Sequence, residues 1–165
     1  MSVSKAKQGS VAGVVGGYAP LDSGLHVPAS YSVSDVVEYV LGADVTMTTA
    51  NVFYDGPSGT PAAATYDVFA FVSLQKVSAS SEFFTARLVS GSTVIDEREV
   101  DNSGIANTVS IIPLTARIAL DGSTAIKITA TGNARASNVM NRDASNGGNS
   151  SSLHRATILT LRKVA

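Results

Sequence analysis

The densest group of ionisable side chains in this sequence is acidic and runs Asp96-Glu97-Arg98-Glu99, with Asp101 shortly after it. Paired carboxylates of this kind can act as general acid and base in glycoside hydrolysis or can bind a cation. β-branched residues surround the stretch, however, and neighbouring side chains of a β-strand point to opposite faces of its sheet. We therefore expect these carboxylates to be solvated at a strand end and not to converge on one site.

The remaining residues that could do chemistry are scattered. His26 and His154 lie far apart, and each is expected to be solvated. Asp143 lies near Asn141 and Asn146, but without the regular spacing of a calcium loop. No Gly-x-Ser-x-Gly nucleophile motif and no glycine-rich phosphate-binding loop occurs, and cysteine is absent. The sequence therefore predicts a protein that is not an enzyme, with no cofactor and no metal site.

Length and charge limit the remaining classes. A chain of 165 residues, 44% hydrophobic and 15% charged, is long enough for one domain with its own core. The formal net charge of −1 provides no basic field for nucleic acid. No stretch approaches the ~20 apolar residues that span a bilayer. The apolar stretch at 11–18 is interrupted by glycines, so neither a membrane segment nor a cleaved signal peptide is expected.

Apolar residues recur with a period of two between residues 36 and 164, and no helical period is found. β-branched and aromatic stretches alternate with Gly, Pro, Asp and Ser, which is typical of short strands joined by turns. This pattern predicts an all-β fold, a single antiparallel sandwich or barrel. The segment 54–59 is interpreted as a turn. The predicted strands are 36–41, 45–54, 66–77, 83–90, 93–100, 108–120, 124–131 and 156–164.

The segment Ser90-Gly91-Ser92-Thr93 predicts a hairpin with a two-residue type II′ turn, because Gly91 can adopt a positive φ. Its register places Arg87 opposite Asp96, an opposite-charge pair of the kind that stabilises a sheet. The same register pairs Val89 with Val94, Leu88 with Ile95 and Phe83 with Val100.

Asp121-Gly122 marks the next connection. A two-residue loop here would put the apolar residues before and after it on opposite faces, and a one-residue slip inverts every side chain. Either the loop has three residues, or the chain crosses between sheets at this point. Pro113 cannot donate a ladder hydrogen bond, so segment 108–120 is expected to bend or to lie at a sheet edge there.

The two ends of the chain differ from its middle. Residues 1–34 are rich in Gly, Ser and Val, contain Pro20 and Pro28, and are interpreted as an extended N-terminal arm that orders against a partner or lies on the protein itself. Residues 35–165 form the predicted domain, with a long polar loop at 133–154. The candidate partner contacts are Val14, Val15, Tyr18, Leu21 and Leu25 in the arm, and Arg135 and Arg142 in the loop.

Three segments between residues 36 and 164 carry a resemblance to a known family: Phe84-Thr-Ala-Arg-Leu-Val-Ser-Gly-Ser-Thr-Val-Ile-Asp96, Ile112-Pro-Leu-Thr-Ala-Arg-Ile-Ala-Leu-Asp-Gly122 and Ala156-Thr-Ile-Leu-Thr-Leu-Arg-Lys163. With these segments, residues 36–164 resemble the jelly roll of tumour-necrosis-factor-like trimers, similar forms of which recur in virion proteins of tailed phages. The resemblance implies a jelly-roll-like β-sandwich that assembles as a homotrimer. It also implies a virion structural protein, made in the host cytoplasm.

Within that class we expect a capsid decoration or cement protein on the outer surface of a phage head. Its partner would be the lattice of the major capsid protein, without nucleic acid or membrane. The alternative is a fibre tip or spike that binds a host surface receptor through residues 133–154. A lectin or carbohydrate-active enzyme is less favoured, because the chain has no Trp and only 6% aromatic residues.

Overall fold

The computed structural model describes residues 36–77, 81–102, 106–133, 138–142 and 156–164, all within the unit Val36–Ala165. The predicted arm, with its five candidate contacts, lies outside the described residues. So does Arg135 of the predicted loop.

Ten β-strands form two antiparallel sheets, and the described residues contain no helix. In chain order the strands are β1 (Val36–Val40), β2 (Val45–Met47), β3 (Tyr54–Gly59), β4 (Ala64–Gln75), β5 (Glu82–Ser90), β6 (Thr93–Asn102), β7 (Val109–Leu120), β8 (Ile126–Gly132), β9 (Asn138–Met140) and β10 (Ile158–Lys163).

The strand order is that of a jelly roll. In the six-stranded sheet, β7 pairs with one edge of β4, while β10 and then β1 follow on its other edge. The short β9 and β2 extend that second edge beyond the end of β10. The four-stranded sheet has the order β3-β8-β5-β6. Apart from the β2–β9 pair, this is the eight-strand double-sheet arrangement, which confirms the predicted all-β, jelly-roll-like sandwich.

The core lies between the two sheets, and the period-two pattern of β4 shows how the sequence builds it. Alternate residues of that strand, from Tyr66 to Leu74, are buried. They pack in one cluster with Leu114 of β7 and, from the four-stranded sheet, with Phe84 and Ile128. Burial of alternate residues from both sheets is what an aligned β-sandwich requires.

Segment Tyr54–Gly59 is strand β3, so its interpretation as a turn is wrong. The strand pairs with β8 through a register shift between Asp55 and Ser58, where Gly56 and Pro57 lie. A proline cannot donate a ladder hydrogen bond, and a bulge is a position where none is needed. Gly and Pro therefore mark an irregular strand here and not its end.

The connection at Asp121-Gly122 takes the chain from β7 in the six-stranded sheet to β8 in the four-stranded sheet. Of the two alternatives, the crossing between sheets is therefore the one found. In the described part of the chain β7 pairs only with β4, which leaves Pro113 on an edge strand, as predicted.

Candidate association surface

The outer face of the six-stranded sheet carries a row of apolar side chains that crosses four strands. The row runs through Val40 of β1, Ile158 of β10, Phe71 of β4 and Pro113 of β7, which are aligned by the strand register. Antiparallel sheets with one face on the core usually present polar residues on the other. This row departs from that pattern and gives the sheet a second apolar surface.

Single apolar side chains of the neighbouring rows lie beside this row. Phe69, one row away on the same face of β4, is 46% exposed, while the residues aligned with it are polar: Glu38, Thr160 and Thr115. Val40 is 51% exposed and Ile111 of β7 is 40% exposed. We call this surface the apolar face, and it comprises Val40, Phe69, Phe71, Ile111, Pro113 and Ile158. Because large apolar side chains lie here side by side, the apolar face has the character of a protein–protein contact.

Charges border the apolar face at one end. Arg117 of β7 lies opposite Asp67 of β4, and its Nε and terminal nitrogen donate to the two carboxylate oxygens at 2.6 and 3.0 Å. Arg162 of β10 lies on the other side of Asp67. The hydrogen bond from Arg117, with the charges of both arginines, lowers the pKa of Asp67, and the same bond raises the pKa of Arg117. Two cations therefore share one carboxylate at this border.

The outer face of the four-stranded sheet has a different character. Strand β6 exposes Glu97, Glu99 and Asp101 on it. Glu97 pairs with Arg87 of β5, whose guanidinium carbon lies 3.7 Å from the centroid of the Phe53 ring. This face carries ion pairs and acidic side chains, as expected of a solvated surface. The two outer faces of the sandwich thus differ in the chemistry they offer to a partner.

The predicted pair Arg87–Asp96 does not form. The turn is as predicted, since Gly91 has a φ of +58° and Val89 lies opposite Val94. The register then shifts by one residue, so Arg87 lies opposite Glu97. The extra residue on β6 is Ile95, which forms a β-bulge.

Asp96 instead accepts hydrogen bonds at the edge where β6 of one sheet meets β7 of the other. Its Oδ2 accepts a hydrogen bond from the backbone N–H of Thr115 in β7 at 3.1 Å, and its Oδ1 accepts one from Nε of Arg98 at 3.2 Å. The bulge at Ile95 turns Asp96 toward β7. The contact could not be predicted from the sequence, because it joins strands of two different sheets.

The acidic stretch forms no common site. Asp96, Glu97 and Glu99 accept hydrogen bonds from Thr115, Arg87 and Thr85, respectively. Among the described residues, no group of three or more His, Asp or Glu side chains could hold a metal ion. No helix long and apolar enough to cross a membrane occurs in the same residues.

Of the predicted partner contacts, only Arg142 lies in the described part of the chain. It follows β9, and its backbone N–H donates to Oδ1 of Asp44 at 2.7 Å, while the residue itself is exposed. Its role in partner binding stays a prediction. The apolar face was not among the predicted contacts, although the run from Val68 to Val72 contained a signal for it. Such a run is apolar at outward as well as inward positions.

No protein-family model and no curated protein matches this chain. Among solved structures, a chain of the T13 viral particle of IBDV is 14% identical over 78% of this chain and 31% of that chain, with a TM-score of 0.43. Eiger TNF from S. frugiperda is 8% identical over 79% of this chain and 92% of its own, with a TM-score of 0.42. The C-terminal domain of EclA, a sugar-binding protein, is 14% identical over 82% and 84%, with a TM-score of 0.32. This chain spans about a third of the viral chain, and none of these structures assigns it a family or a function.

Proposed function

We propose that this chain is a non-enzymatic structural protein that assembles with copies of itself through the apolar face. The observation that carries the proposal is the exposure of Phe69, Val40 and Ile111 on one sheet surface. Each of these side chains is already about half buried, so covering the remainder against a partner contributes roughly half of the 1.5–3 kcal/mol that full burial is worth. A second copy of the chain is the occupant we propose.

The assembly we propose is a trimer, on the resemblance to tumour-necrosis-factor-like trimers. In a three-fold ring each contact is heterologous, so the apolar face of one copy meets a different surface of the next. The turn end of strand β6 offers such a surface, because it exposes Val94 together with Glu97, at the opposite end of the hairpin from Phe83. The acidic side chain of Glu97 complements Arg117 and Arg162 at the border of the apolar face, and complementary charges fix the register of a contact.

The finer proposal is a virion protein, on the resemblance to jelly-roll proteins of tailed phages. The trimer would decorate the outside of an assembled head and link neighbouring subunits of the major capsid protein. A protein that binds only the assembled lattice stabilises it by mass action. The arm and the 133–154 loop, with the predicted contacts Val14, Val15, Tyr18, Leu21, Leu25, Arg135 and Arg142, would be the binding segments.

Two phenylalanines of similar exposure test the assembly. Phe69, 46% exposed, lies on the apolar face, and Phe83, 42% exposed, lies on the charged outer face of the other sheet. F69D introduces a charge that would be buried without a partner in the trimer, whereas the same charge stays in water in the monomer. F83D is the matched control. In sedimentation or mass photometry we expect trimers for the wild type and F83D, and monomers for F69D.

Circular dichroism of F69D and F83D checks that each variant keeps the fold. A wild type that is monomeric at all accessible concentrations would contradict the proposal. So would an F69D protein that assembles as well as F83D does, because the apolar face would then not be the contact.

A further inference from the structure

A lysine and a glutamate are fully buried together at one end of the sandwich. Lys76 follows the last residue of β4, and Glu82 is the first residue of β5; both are 0% exposed. Asn138, which begins β9, and Asn102, which ends β6, are buried beside them. Buried charged side chains are rare, because leaving water costs several kcal/mol per ion unless each group is paired.

The strand register brings Lys76 and Asn138 to the same place. In the β4–β9 pair, Leu74 lies opposite Met140 and Gln75 lies opposite Val139. One step further along this antiparallel register places Lys76 opposite Asn138. Side chains at opposed positions of a ladder lie on the same face, with Cβ atoms roughly 4.5–5.5 Å apart.

The carboxamide of Asn138 is held at both ends. Its Nδ2 donates a hydrogen bond to Oε1 of Glu82, and its Oδ1 accepts one from the backbone N–H of Val77 at 3.3 Å. The Lys76 ammonium is directed to the same end of the sandwich, where its Nζ donates to the carbonyl oxygen of Asn102 at 2.8 Å. Asn102 in turn lies directly opposite Glu82 in the β5–β6 pair.

Glu82 is the unusual member of this cluster. Its Oε2 is buried and has no hydrogen-bond partner among the described residues. Gly132 closes the space around its other oxygen, since a Cβ there would lie 2.6 Å from Oε1. A carboxylate with an unused buried oxygen adds little to stability. It is, however, well placed to receive and return a proton next to an amine and a carboxamide.

We propose that Lys76 and Asn138 are joined by an intramolecular isopeptide bond, with Glu82 relaying the protons. Transfer of one proton from the Lys76 ammonium to the Glu82 carboxylate gives the neutral amine that can attack a carboxamide. The neutral Nζ attacks Cγ of Asn138, and the Val77 N–H faces the oxygen on which negative charge develops. Glu82 protonates Nδ2 and takes a proton from the attacking nitrogen. The Cγ–Nδ2 bond breaks, one ammonia leaves, and the Lys76–Asn138 amide remains.

Asn138, and not Asn102, is the acceptor in this proposal. The carboxamide of Asn102 is engaged with two hydroxyl groups, since its Oδ1 accepts from Thr108 Oγ1 at 2.8 Å and its Nδ2 donates to Ser110 Oγ at 3.0 Å. Neither hydroxyl can relay protons as a carboxylate does near neutral pH. The Asn138 carboxamide, in contrast, donates directly to Oε1 of Glu82.

The test is the intact mass of the purified full-length protein under denaturing conditions. We expect the wild type to weigh less than its sequence mass by one molecule of ammonia, and tandem mass spectrometry of a digest to find one branched peptide that joins Lys76 to Asn138. We expect K76R and E82Q to have their full sequence masses. N102D is the matched control, because both hydroxyls that contact residue 102 can donate to a carboxylate; it should still lose ammonia.

If the wild type has its full sequence mass, no ammonia has been lost and the proposal is overturned. An ammonia loss that persists in K76R would also overturn it, because it would then come from a succinimide at an asparagine. Full formation of the Lys76–Asn138 bond in E82Q would show that Glu82 does not relay the protons. The proposal is independent of self-assembly and of the virion role, so these outcomes leave those proposals untouched.

Discussion

At the scale of single residues, Asp121 holds the turn at which the chain crosses from one sheet to the other. Its Oδ1 accepts the backbone N–H groups of Ser123 and Thr124 at 2.8 and 2.7 Å, and its Oδ2 accepts the Thr124 hydroxyl at 3.0 Å. These bonds, those to the two backbone N–H groups first, hold the pKa of Asp121 well below its usual range. The ionised carboxylate of Asp121 is thus more stable in the folded chain than in the unfolded chain.

That shift predicts a pH dependence of stability. A carboxylate with a lowered folded-state pKa stabilises the fold above the unfolded pKa of about 3.9, and the contribution is lost as the pH falls through the folded-state pKa. In D121N the amide oxygen can still accept both N–H groups, but it carries no charge. We expect D121N to melt a few degrees below the wild type at neutral pH, with the gap closing as the solution is acidified below about pH 4. A gap of constant size in thermal melts across this range would contradict the role of the charge.

At the scale of elements, β1 and β3 meet between the two sheets. A Cβ added to Gly59, the last residue of β3, would overlap the ring of Tyr39 in β1. Gly42, just after β1, has nothing within 4 Å of the same added atom, and its φ is not positive. Glycine at position 59 therefore lets the ring lie directly against the backbone.

This contact predicts that alanine destabilises the fold at position 59 and has little effect at position 42. G59A forces the Tyr39 ring to move, and overpacking of this kind costs about 1–3 kcal/mol. G42A should change the free energy of unfolding by less than about 0.5 kcal/mol, as is usual for surface substitutions. Urea denaturation of the two variants measures the difference. Equal midpoints for G59A and G42A would show that β1 and β3 do not pack as described.

The elements also show what the sequence could and could not reveal. Period-two burial predicted the long strand β4, and the Gly91-Ser92 turn predicted the β5–β6 hairpin, because both signals are local. Strand β3 was missed, since its Gly and Pro are turn residues elsewhere and only the pairing with β8 makes them a bulge. Strand β9 has three residues inside a polar segment, which is too short to show a period.

The apolar face likewise combines a local signal that the sequence contains with long-range pairing that it does not. Outward Phe69 and Phe71 were visible in the sequence as a strand apolar on both faces. Their alignment with Val40, Ile158 and Pro113 depends on β1, β7 and β10 joining β4 from distant parts of the chain. The buried cluster of Lys76 and Glu82 could not be predicted, because a lysine and a glutamate near strand ends are normally solvated.

At the scale of the whole molecule, the proposed trimer contact and the proposed binding segments have different functions, which are self-association and attachment to a capsid lattice. The apolar face is the surface we propose for contact between copies of this chain, while a decoration protein must also bind a lattice made of another protein. An arm that orders on docking can reach across lattice subunits, at an entropic cost that lowers affinity per unit area. Binding by three arms of one trimer offsets that cost, because the second and third contacts form at high effective concentration.

This division of roles predicts the behaviour of the protein on native particles. Quantitative mass spectrometry of purified virions should find this chain in a copy number comparable with the number of shell lattice positions, and removal of residues 1–30 should abolish particle binding while the trimer persists. A handful of copies per particle would instead favour the fibre or spike role and make residues 133–154 the segment to mutate. Full binding without residues 1–30 would assign the anchor to another segment. If no particle carries the chain, the virion proposal fails, although self-assembly through the apolar face would still stand on its own test.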